Sequence, residues 1–341
     1  MTINEIAALA GVSKSTVSRV INGSKNVNEK TRKRILEIIK KNDYIPSAMA
    51  IGLSNKNSYT IGWILPKADN IFFGEVTQGI YEVLANTQYS LVLSCTQNEI
   101  EYELKALKIM RQQNIKGLLI TTSSGYVDDE CMEKINKELE ALSVPVVMID
   151  RLMKNTSWNG VYTDNYNGAY ELTNALIKAG FTEIGGLFSD MKLNIGKERY
   201  RGFKQALLEH NIKEKCIILE DGPAVTHEFY EISSRIVTEN KYPKAFFLSN
   251  GIIANGFFKA IIEKGIVPGK DIHCVSFDYS DALDVANIPY SYLKRNCKLL
   301  GQTAMKMLMR SFKENSVVRE ECIIPATLQL DESLKKACSI K

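Results

Sequence analysis

Histidines, long apolar runs and short catalytic motifs are all scarce in this chain of 341 residues. Its three histidines, His210, His227 and His273, are too far apart in sequence to share a metal through a short motif, which disfavours zinc chemistry and His-based catalysis. The longest apolar runs are about the length of Ala245–Leu248, far short of the roughly 20 residues that a bilayer span needs. Glu5 stands where a secretory signal would carry basic charge. We therefore expect a protein of the cytoplasm.

Neither the cysteines nor the glycine pattern supports a disulfide framework, a metal site or a bound cofactor. The seven cysteines, at positions 95, 131, 216, 274, 297, 322 and 338, are odd in number, scattered and free of any CxxC pair. This is typical of reduced, mostly buried thiols. No GxGxxG, P-loop or GxSxG sequence follows a predicted strand, so dinucleotide-binding, NTPase and hydrolase functions have no motif in their support. We expect no cofactor and no metal.

The positive charge of the chain is concentrated in its first 46 residues. That segment holds nine basic and four acidic residues, a net charge of +5. Because the whole chain is +4, the other 295 residues sum to −1. This asymmetry favours a small module that faces a polyanion, although a basic segment is often only a solvated surface.

Within this segment the local signals predict two short helices joined by a tight turn. Thr2 and Glu5 have the spacing of a capping box, which predicts a helix over residues 3–10. Gly11 enters a left-handed turn at the least cost, and Ser13 can then cap a second helix that reaches to about residue 22. The pattern is that of a helix-turn-helix.

The second helix should pack one face inward and turn a polar face to solvent. Its inward face, packed on Ala7, consists of Val17, Val20 and Ile21. A third helix, capped by Asn28, is expected to close the small core with Ile35, Leu36 and Ile39. The outer face of the second helix carries long donors and no acid, which suits the major groove of DNA.

Residues 3–23, INEIAALAGVSKSTVSRVING, resemble the helix-turn-helix of the lactose-repressor (LacI) family of bacterial transcriptional regulators. The resemblance implies a sequence-specific repressor of transcription. We expect three residues to read base edges in the major groove: Lys14, Ser15 and Arg19. Six others are expected to lie nearer the phosphates: Thr16, Ser18, Asn22, Lys30, Arg32 and Lys33.

In that family a hinge helix follows the helix-turn-helix, and residues 46–58 are compatible with one. They begin with Pro46 and a possible capping Ser47 and end in a polar linker. The resemblance implies that Leu53 enters the minor groove at the centre of the operator. Two departures, Ile51 where Arg is usual and the helix-weakening Gly52, leave a plain linker as the alternative.

From residue 59 onward the pattern alternates between buried strands and amphipathic helices. The predicted strands are 60–65, 90–95, 117–121, 145–149, 184–188, 244–249 and 272–277. The predicted helices include 74–87, 99–114, 167–179, 198–210 and 251–264. We therefore expect a small all-α helix-turn-helix domain (1–45), a hinge and linker (46–58) and a two-lobed α/β domain with doubly wound parallel sheets (59–341). The last resembles the periplasmic sugar-binding proteins.

Side chains at the predicted strand ends resemble the effector-binding positions of the same family. They are Lys67, Phe72, Phe73, Arg151, Arg199, Asn250 and Asp278. Each has a plainer alternative, because a phenylalanine pair is usually core and an aspartate at a strand–helix junction is often a helix cap. Asp164-Asn165 is expected just after the first crossover between lobes, and Lys294-Arg295 at the last one.

Departures from the sugar-binding pattern suggest the charge of the effector. Lys67 and Gly251 stand where acids are usual, and Arg151 and Arg199 add two cations, so we expect more positive than negative side chains in the cleft. This favours an anionic effector such as a sugar phosphate or a sugar acid.

The most consistent interpretation is a homodimeric repressor that binds a pseudopalindromic operator and is controlled by a small carbohydrate-type effector between its lobes. The rival hypothesis is a cytosolic carbohydrate enzyme or binding protein with an incidental basic segment. An enzyme would need a paired general acid and base in the cleft, and the sequence offers none that can be named.

Overall fold

The computed structural model describes residues 1–21, 24, 26–42, 44, 58–123, 129–153, 156–239, 242–313 and 319–339. Two compact units form: Met1–Thr60 with Asn114–Lys116, and Ile61–Gln113 with Gly117–Lys341. The predicted hinge helix, its Leu53 and the predicted DNA contact Asn22 lie outside the described residues.

The first unit contains helices α1 (Ile3–Ala10), α2 (Lys14–Ile21) and α3 (Glu29–Lys41). The predicted capping box is present, because the backbone N–H of Glu5 donates to Thr2 Oγ1 (3.3 Å) and that of Thr2 donates to Glu5 Oε2 (2.8 Å). Gly11 has a φ of +61°, in the left-handed region that a side chain would disfavour. Ser13 Oγ then accepts the N–H of Thr16 (3.2 Å), as expected for the cap of α2.

The small core of this unit is close to the predicted one, with one error on α3. Its fully or nearly buried side chains are Ile6, Ala7, Ala10, Val17, Val20 and Ile35. The prediction for Leu36 is wrong, since that side chain is 47% exposed. Ile39 is partly buried against the core as predicted, and Ile38 takes the place expected for Leu36, because the two follow Ile35 at the i+4 and i+3 positions of one helix face.

The second unit is built on two six-stranded sheets of matching topology, here called the first and second lobes. The first sheet has the order β11-β5-β4-β3-β1-β2, and the second β12-β10-β9-β8-β6-β7. The strands of the first are β1 (Thr60–Leu65), β2 (Ser90–Cys95), β3 (Gly117–Ile120), β4 (Val146–Ile149), β5 (Asn159–Thr163) and β11 (Glu321–Ile324). Those of the second are β6 (Ile184–Phe188), β7 (Glu214–Leu219), β8 (Ala245–Leu248), β9 (His273–Ser276), β10 (Ser291–Arg295) and β12 (Ala326–Gln329).

Helices follow most of these strands, as doubly wound sheets require. They are α4 (Ile71–Leu84), α5 (Ile100–Gln112), α6 (Asp129–Ala141), α7 (Asn165–Lys178), α8 (Asn194–Glu209), α9 (Thr226–Thr238), α10 (Gly251–Glu263), α11 (Asp281–Val285), α12 (Cys297–Ser311) and α13 (Glu332–Ser339). In the centre of each sheet β3 pairs in parallel with β1 and β4, and β8 with β6 and β9. The edge strand β12 runs antiparallel to β10. The predicted two-lobed α/β fold is confirmed.

The chain passes between the lobes three times. The first passage, after β5, agrees with the prediction for Asp164-Asn165. The second follows Arg295, but the prediction that it is the last is wrong, because β11 and β12 belong to different sheets and Pro325 lies between them. Both lobes are thus tied together by three adjacent connections.

The seven predicted strands are present with ends within one residue, whereas β5, β7, β10, β11 and β12 were not predicted. Strands β11 and β12 lie at sheet edges, where exposed and half-buried residues alternate in place of a continuous apolar run. Among the described residues, no helix is long and apolar enough to cross a membrane.

Glycines allow the closest helix pair of the first lobe to pack. A Cβ atom at Gly79 of α4 would lie 2.0 Å from the carbonyl oxygen of Lys298 in α12. One at Gly301 of α12 would lie 2.1 Å from the carbonyl oxygen of Val76 in α4. Neither backbone carbonyl can yield without moving its helix, so only glycine fits at this crossing.

We expect Gly301→Ala to lower the free energy of unfolding by about 1–3 kcal/mol through overpacking. In thermal unfolding this corresponds to a midpoint lower by about 2–4 °C per kcal/mol. Gly74→Ala is the matched control: it lies on α4 with no atom within 4 Å of its Cβ position, so it should be neutral or slightly stabilising. Equal midpoints for the two variants would contradict the assignment.

Candidate functional site

A large cleft lies between the two lobes, at the carboxyl ends of their strands. Its volume is about 880 Å³. Ligands of doubly wound sheets bind at this edge. All seven side chains predicted from the strand ends line the cleft: Lys67, Phe72, Phe73, Arg151, Arg199, Asn250 and Asp278. The structure therefore brings together residues that span more than 200 positions of sequence.

The phenylalanine pair belongs both to the core and to the cleft wall. Phe72 and Phe73 begin α4, whose N-terminus is capped where Asn70 Oδ1 accepts the N–H of Phe72 (3.0 Å). Their rings meet edge to face at 4.9 Å, and both side chains are buried. The outer face of the Phe72 ring is covered by the guanidinium of Arg295 at 4.0 Å.

Arg199, on the second turn of α8, is 6% exposed and is held on three sides. Its Nε donates to Asn165 Oδ1 (2.9 Å) and its Nη1 to the carbonyl oxygen of Ser249 (2.6 Å). Its guanidinium lies 3.8 Å from the centroid of the Phe277 ring. Burial lowers the pKa of Arg199 below its usual value, and the charge of Asp278 partly offsets that effect.

Arg151 and Lys67 contribute positive charge from the first lobe. Arg151 follows β4 and is buried, and its Nη1 donates both to Asn98 Oδ1 and to the carbonyl oxygen of Thr122, each at 2.7 Å. Lys67 follows β1 and is half-buried at the cleft edge.

The two polar residues of the second lobe differ in role. Asn250 caps α10, because its Oδ1 accepts the N–H of Ile253 (2.9 Å), and its Nδ2 donates to Ser189 Oγ (2.8 Å). Asp278 is not a helix cap, since the next helix, α11, is capped by Ser280. The carboxylate of Asp278 is thus left for another partner in the cleft.

That partner is Arg295, which the sequence analysis assigned only to a crossover. Its Nη2 lies 2.7 Å from Asp278 Oδ1 in its own lobe, and its Nη1 lies 3.4 Å from Asp150 Oδ1 in the first lobe. Both Arg295 and Asp150 are more than nine-tenths buried. Arg295 therefore makes an ion pair with each lobe.

Two further carboxylates of the cleft, Asp150 and Asp190, were also missed. Each follows a strand, and each has a left-handed backbone, with φ of +66° and +58°. This conformation is uncommon for residues other than glycine, and aspartate tolerates it better than most. The available signal was their position directly after predicted strands, at residues 150 and 190.

The expected excess of positive charge in the cleft is wrong. Of the described lining residues, five are basic and seven are acidic. The basic residues are Lys67, Arg151, Arg199, Lys294 and Arg295, and the acidic ones are Asp69, Glu75, Asp150, Asp190, Asp278, Asp281 and Asp284. The prediction was wrong because it considered only those charged residues that align with effector-binding positions of the family.

On the helical unit, the polar face predicted for α2 is accessible. Lys14, Ser15 and Arg19 are exposed, and Thr16 and Ser18 are half-buried. Of the predicted backbone contacts on α3, Lys30 and Lys33 are exposed. Arg32 is engaged within the unit, because it donates to the carbonyl oxygen of Ser24 and lies 3.6 Å from Glu29.

Comparisons with known proteins agree with this architecture. Residues 2–47 match the family described as bacterial regulatory proteins, lacI family, and residues 173–334 match the periplasmic binding protein-like domain. The HTH-type transcriptional repressor PurR of Mannheimia succiniciproducens is 29% identical over 335 residues, which cover 98% of this chain and 99% of that protein. The ribose operon repressor of Haemophilus influenzae is 28% identical over 341 residues, with 98% of each chain covered.

A solved structure gives the same fold over the whole chain. The lac repressor dimer bound to operator and the anti-inducer ONPF has a TM-score of 0.83 at 23% identity, and the match covers 98% of this chain and 99% of that one. The chain is a DNA-binding transcriptional regulator of the repressor type with a periplasmic binding protein-like effector domain, and it is not an enzyme. The helix-turn-helix, the two-lobed cleft and these matches show that it belongs to the LacI family of bacterial regulatory proteins.

Proposed function

We propose that this chain represses transcription in the cytoplasm as a homodimer bound to a pseudopalindromic operator. Residues 1–45 of each subunit read one half-site, residues 46–58 form the hinge, and residues 59–341 dimerise and bind the effector. Two such modules in successive major grooves require half-sites about one helical turn, or 34–36 Å, apart.

The observation that carries this proposal is the division of α2 into two faces. Val17 and Val20 are buried against the other helices, which fixes the rotation of α2. Lys14, Ser15 and Arg19 consequently point away from the core, free to meet base edges. Exposed Lys30 and Lys33 on α3 supply charge for the phosphates, and Arg32 contributes less because its guanidinium is already bonded.

We further propose a small carbohydrate-type effector in the cleft. Carboxylates at strand ends and aromatic rings in the wall are the groups that bind hydroxyls and sugar faces. The name of one relative, the ribose operon repressor, supports an effector of this class. The excess of acidic lining residues removes the argument for an anionic one.

Effector binding would be coupled to DNA through Arg295. An effector hydroxyl that binds Asp278 competes with the guanidinium of Arg295 for the same carboxylate oxygen. Because Arg295 also pairs with Asp150 of the first lobe, its displacement alters the contact between lobes. A change in their relative angle would then decide whether the two hinges of a dimer can pair.

Selection of bound sequences from a random duplex library tests the proposal. The full chain should recover a pseudopalindrome, and the chain without residues 1–58 should recover nothing while it still binds effector. Recovery of the same sequences by both, or of no sequence by the full chain even with pooled metabolites present, would contradict the proposed function.

We expect Arg19→Ala to cost about 1–3 kcal/mol of operator binding and to relax the preference at one base pair per half-site. Lys33→Ala is the matched control on α3: it should weaken binding to all DNA alike and reduce the salt slope by about 1. Titrations against operator and scrambled duplex at several salt concentrations measure both effects. Identical sequence profiles for the two variants would show that Arg19 does not read a base.

We expect Arg295→Met to lower the free energy of unfolding by about 3–5 kcal/mol, because it leaves the buried carboxylate of Asp150 and the partly buried carboxylate of Asp278 without their cation. It should also reduce the effect of the effector on operator affinity. Arg201→Met is the control, since Arg201 likewise pairs with an acid (Glu198, 2.7 Å) and stacks on a ring but is 65% exposed, and its loss should cost less than about 1 kcal/mol. Equal thermal midpoints, or undiminished effector response in Arg295→Met, would contradict the coupling role.

A further inference from the structure

Among the described residues, two buried polar atoms in the wall of the cleft have neither a hydrogen-bond partner nor an ion-pair partner. One is an acceptor, Asp190 Oδ1, at the end of β6 in the second lobe. The other is a donor, Arg151 Nε, at the end of β4 in the first lobe. A third, Asp278 Oδ1, makes no hydrogen bond but lies 2.7 Å from Arg295 Nη2. Buried polar atoms are nearly always paired, so each of the two unpaired atoms requires an explanation.

Both side chains are held in place by their other atoms. The backbone N–H of Asp190 donates to the carbonyl oxygen of Gly222 (2.7 Å), and its Oδ2 accepts from Ser189 Oγ (3.1 Å). Arg151 is fixed by the two bonds of its Nη1 to Asn98 and Thr122. The two unpartnered atoms are therefore positioned by the protein before any ligand arrives.

The charges of Asp190 and Arg151 also interact across the cleft. Burial raises the pKa of Asp190 above its usual value, and the positive charge of Arg151 is the largest influence that lowers it. The other buried carboxylates differ, because Asp150 and Asp278 already have Arg295 as a partner. Within the described part of the chain, the carboxylate of Asp190 accepts a hydrogen bond from the hydroxyl of its neighbour Ser189 alone.

The hydrogen-bonding chemistry of Asp190 Oδ1 and Arg151 Nε restricts which ligand groups can pair with both atoms. A phosphate or carboxylate would accept from Arg151 but would bring a second negative charge to Asp190. An ammonium group would donate to Asp190 but offers Arg151 no acceptor. A hydroxyl group is both donor and acceptor, and a molecule with several hydroxyls can serve both atoms without adding charge.

We propose that Asp190 and Arg151 form a hydroxyl-binding subsite that selects a neutral polyhydroxylated effector over its phosphorylated or carboxylated relatives. This inference rests on the proposed function, in that it takes the cleft as the effector site. The hydroxyls can belong to a free sugar or polyol, or to the sugar of a nucleoside.

Isothermal titration of the full-length protein with a defined panel tests the subsite. The neutral free sugars are D-ribose, D-glucose and cellobiose, and the neutral nucleoside is adenosine. Their anionic relatives are ribose 5-phosphate, glucose 6-phosphate, gluconate and adenosine monophosphate. The variant is Asp190→Asn, which keeps the shape of the side chain and removes its charge. Asp221→Asn is the control, since Asp221 lies in the same lobe, is 70% exposed and does not line the cleft.

The wild-type chain should bind at least one neutral compound about 10-fold or more tightly than its anionic relative. Asp190→Asn should weaken that neutral compound by about 10- to 100-fold and should leave the anionic relative unchanged or tighter. Asp221→Asn should change neither. Arg151→Lys, which keeps the positive charge but has no Nε–H at that position, should also weaken the neutral compound.

Three results would overturn the inference: tighter binding of an anionic relative by the wild type, no binding of any neutral compound up to about 10 mM, or an equal loss of both classes in Asp190→Asn. Thermal midpoints equal to wild type verify that each variant is folded. The assay does not involve DNA, so the two proposals can fail separately. A chain that binds a neutral sugar through Asp190 but selects no operator contradicts the proposed function alone, whereas a repressor released by a phosphorylated effector contradicts the subsite alone.

Discussion

The cleft depends on one buried cation, Arg295, between two carboxylates. The two sheets have the same strand order, so Asp150 after β4 and Asp278 after β9 occupy equivalent positions and face each other across the cleft. A buried carboxylate and a partly buried one that face each other would repel, and the guanidinium between them converts that repulsion into two ion pairs. The ring of Phe72 covers its face. The contact between lobes is therefore electrostatic at its centre and apolar at its side.

Such an arrangement is stable only while all members are present. Removing charges from water is costly, and a buried ion pair recovers that cost only with good geometry and further contacts. Arg199 and Arg295 both meet this condition by stacking on phenylalanine rings and bonding to fixed oxygens. Both guanidinium groups are therefore held by the protein on more than one side.

Much of the fold and of the cleft could be predicted from local sequence patterns. The features that were missed depend on residues that lie far apart in sequence. Buried parallel strands read as continuous apolar runs, so six of them were found (β1, β3, β4, β6, β8 and β9), and residues that follow several of them line the cleft. Edge strands such as β11 and β12 lack that pattern. Arg295 was seen as a crossover residue because its partners lie 145 and 17 positions away in sequence. The period of apolar residues carries no information on such a pairing.

The carboxylates of the cleft differ in their partners, and this difference separates effector recognition from switching. Asp150 and Asp278 both pair with Arg295, and the Asp150–Arg295 ion pair joins the two lobes. Asp190 takes no part in the two ion pairs of Arg295 and leaves an oxygen without a partner among the described residues. On the proposed function, an effector that binds Asp190 would leave the ion pairs of Arg295 intact and would afterwards compete for Asp278. Recognition and switching would then use different carboxylates of one cleft, which lets affinity change without loss of the coupling to DNA.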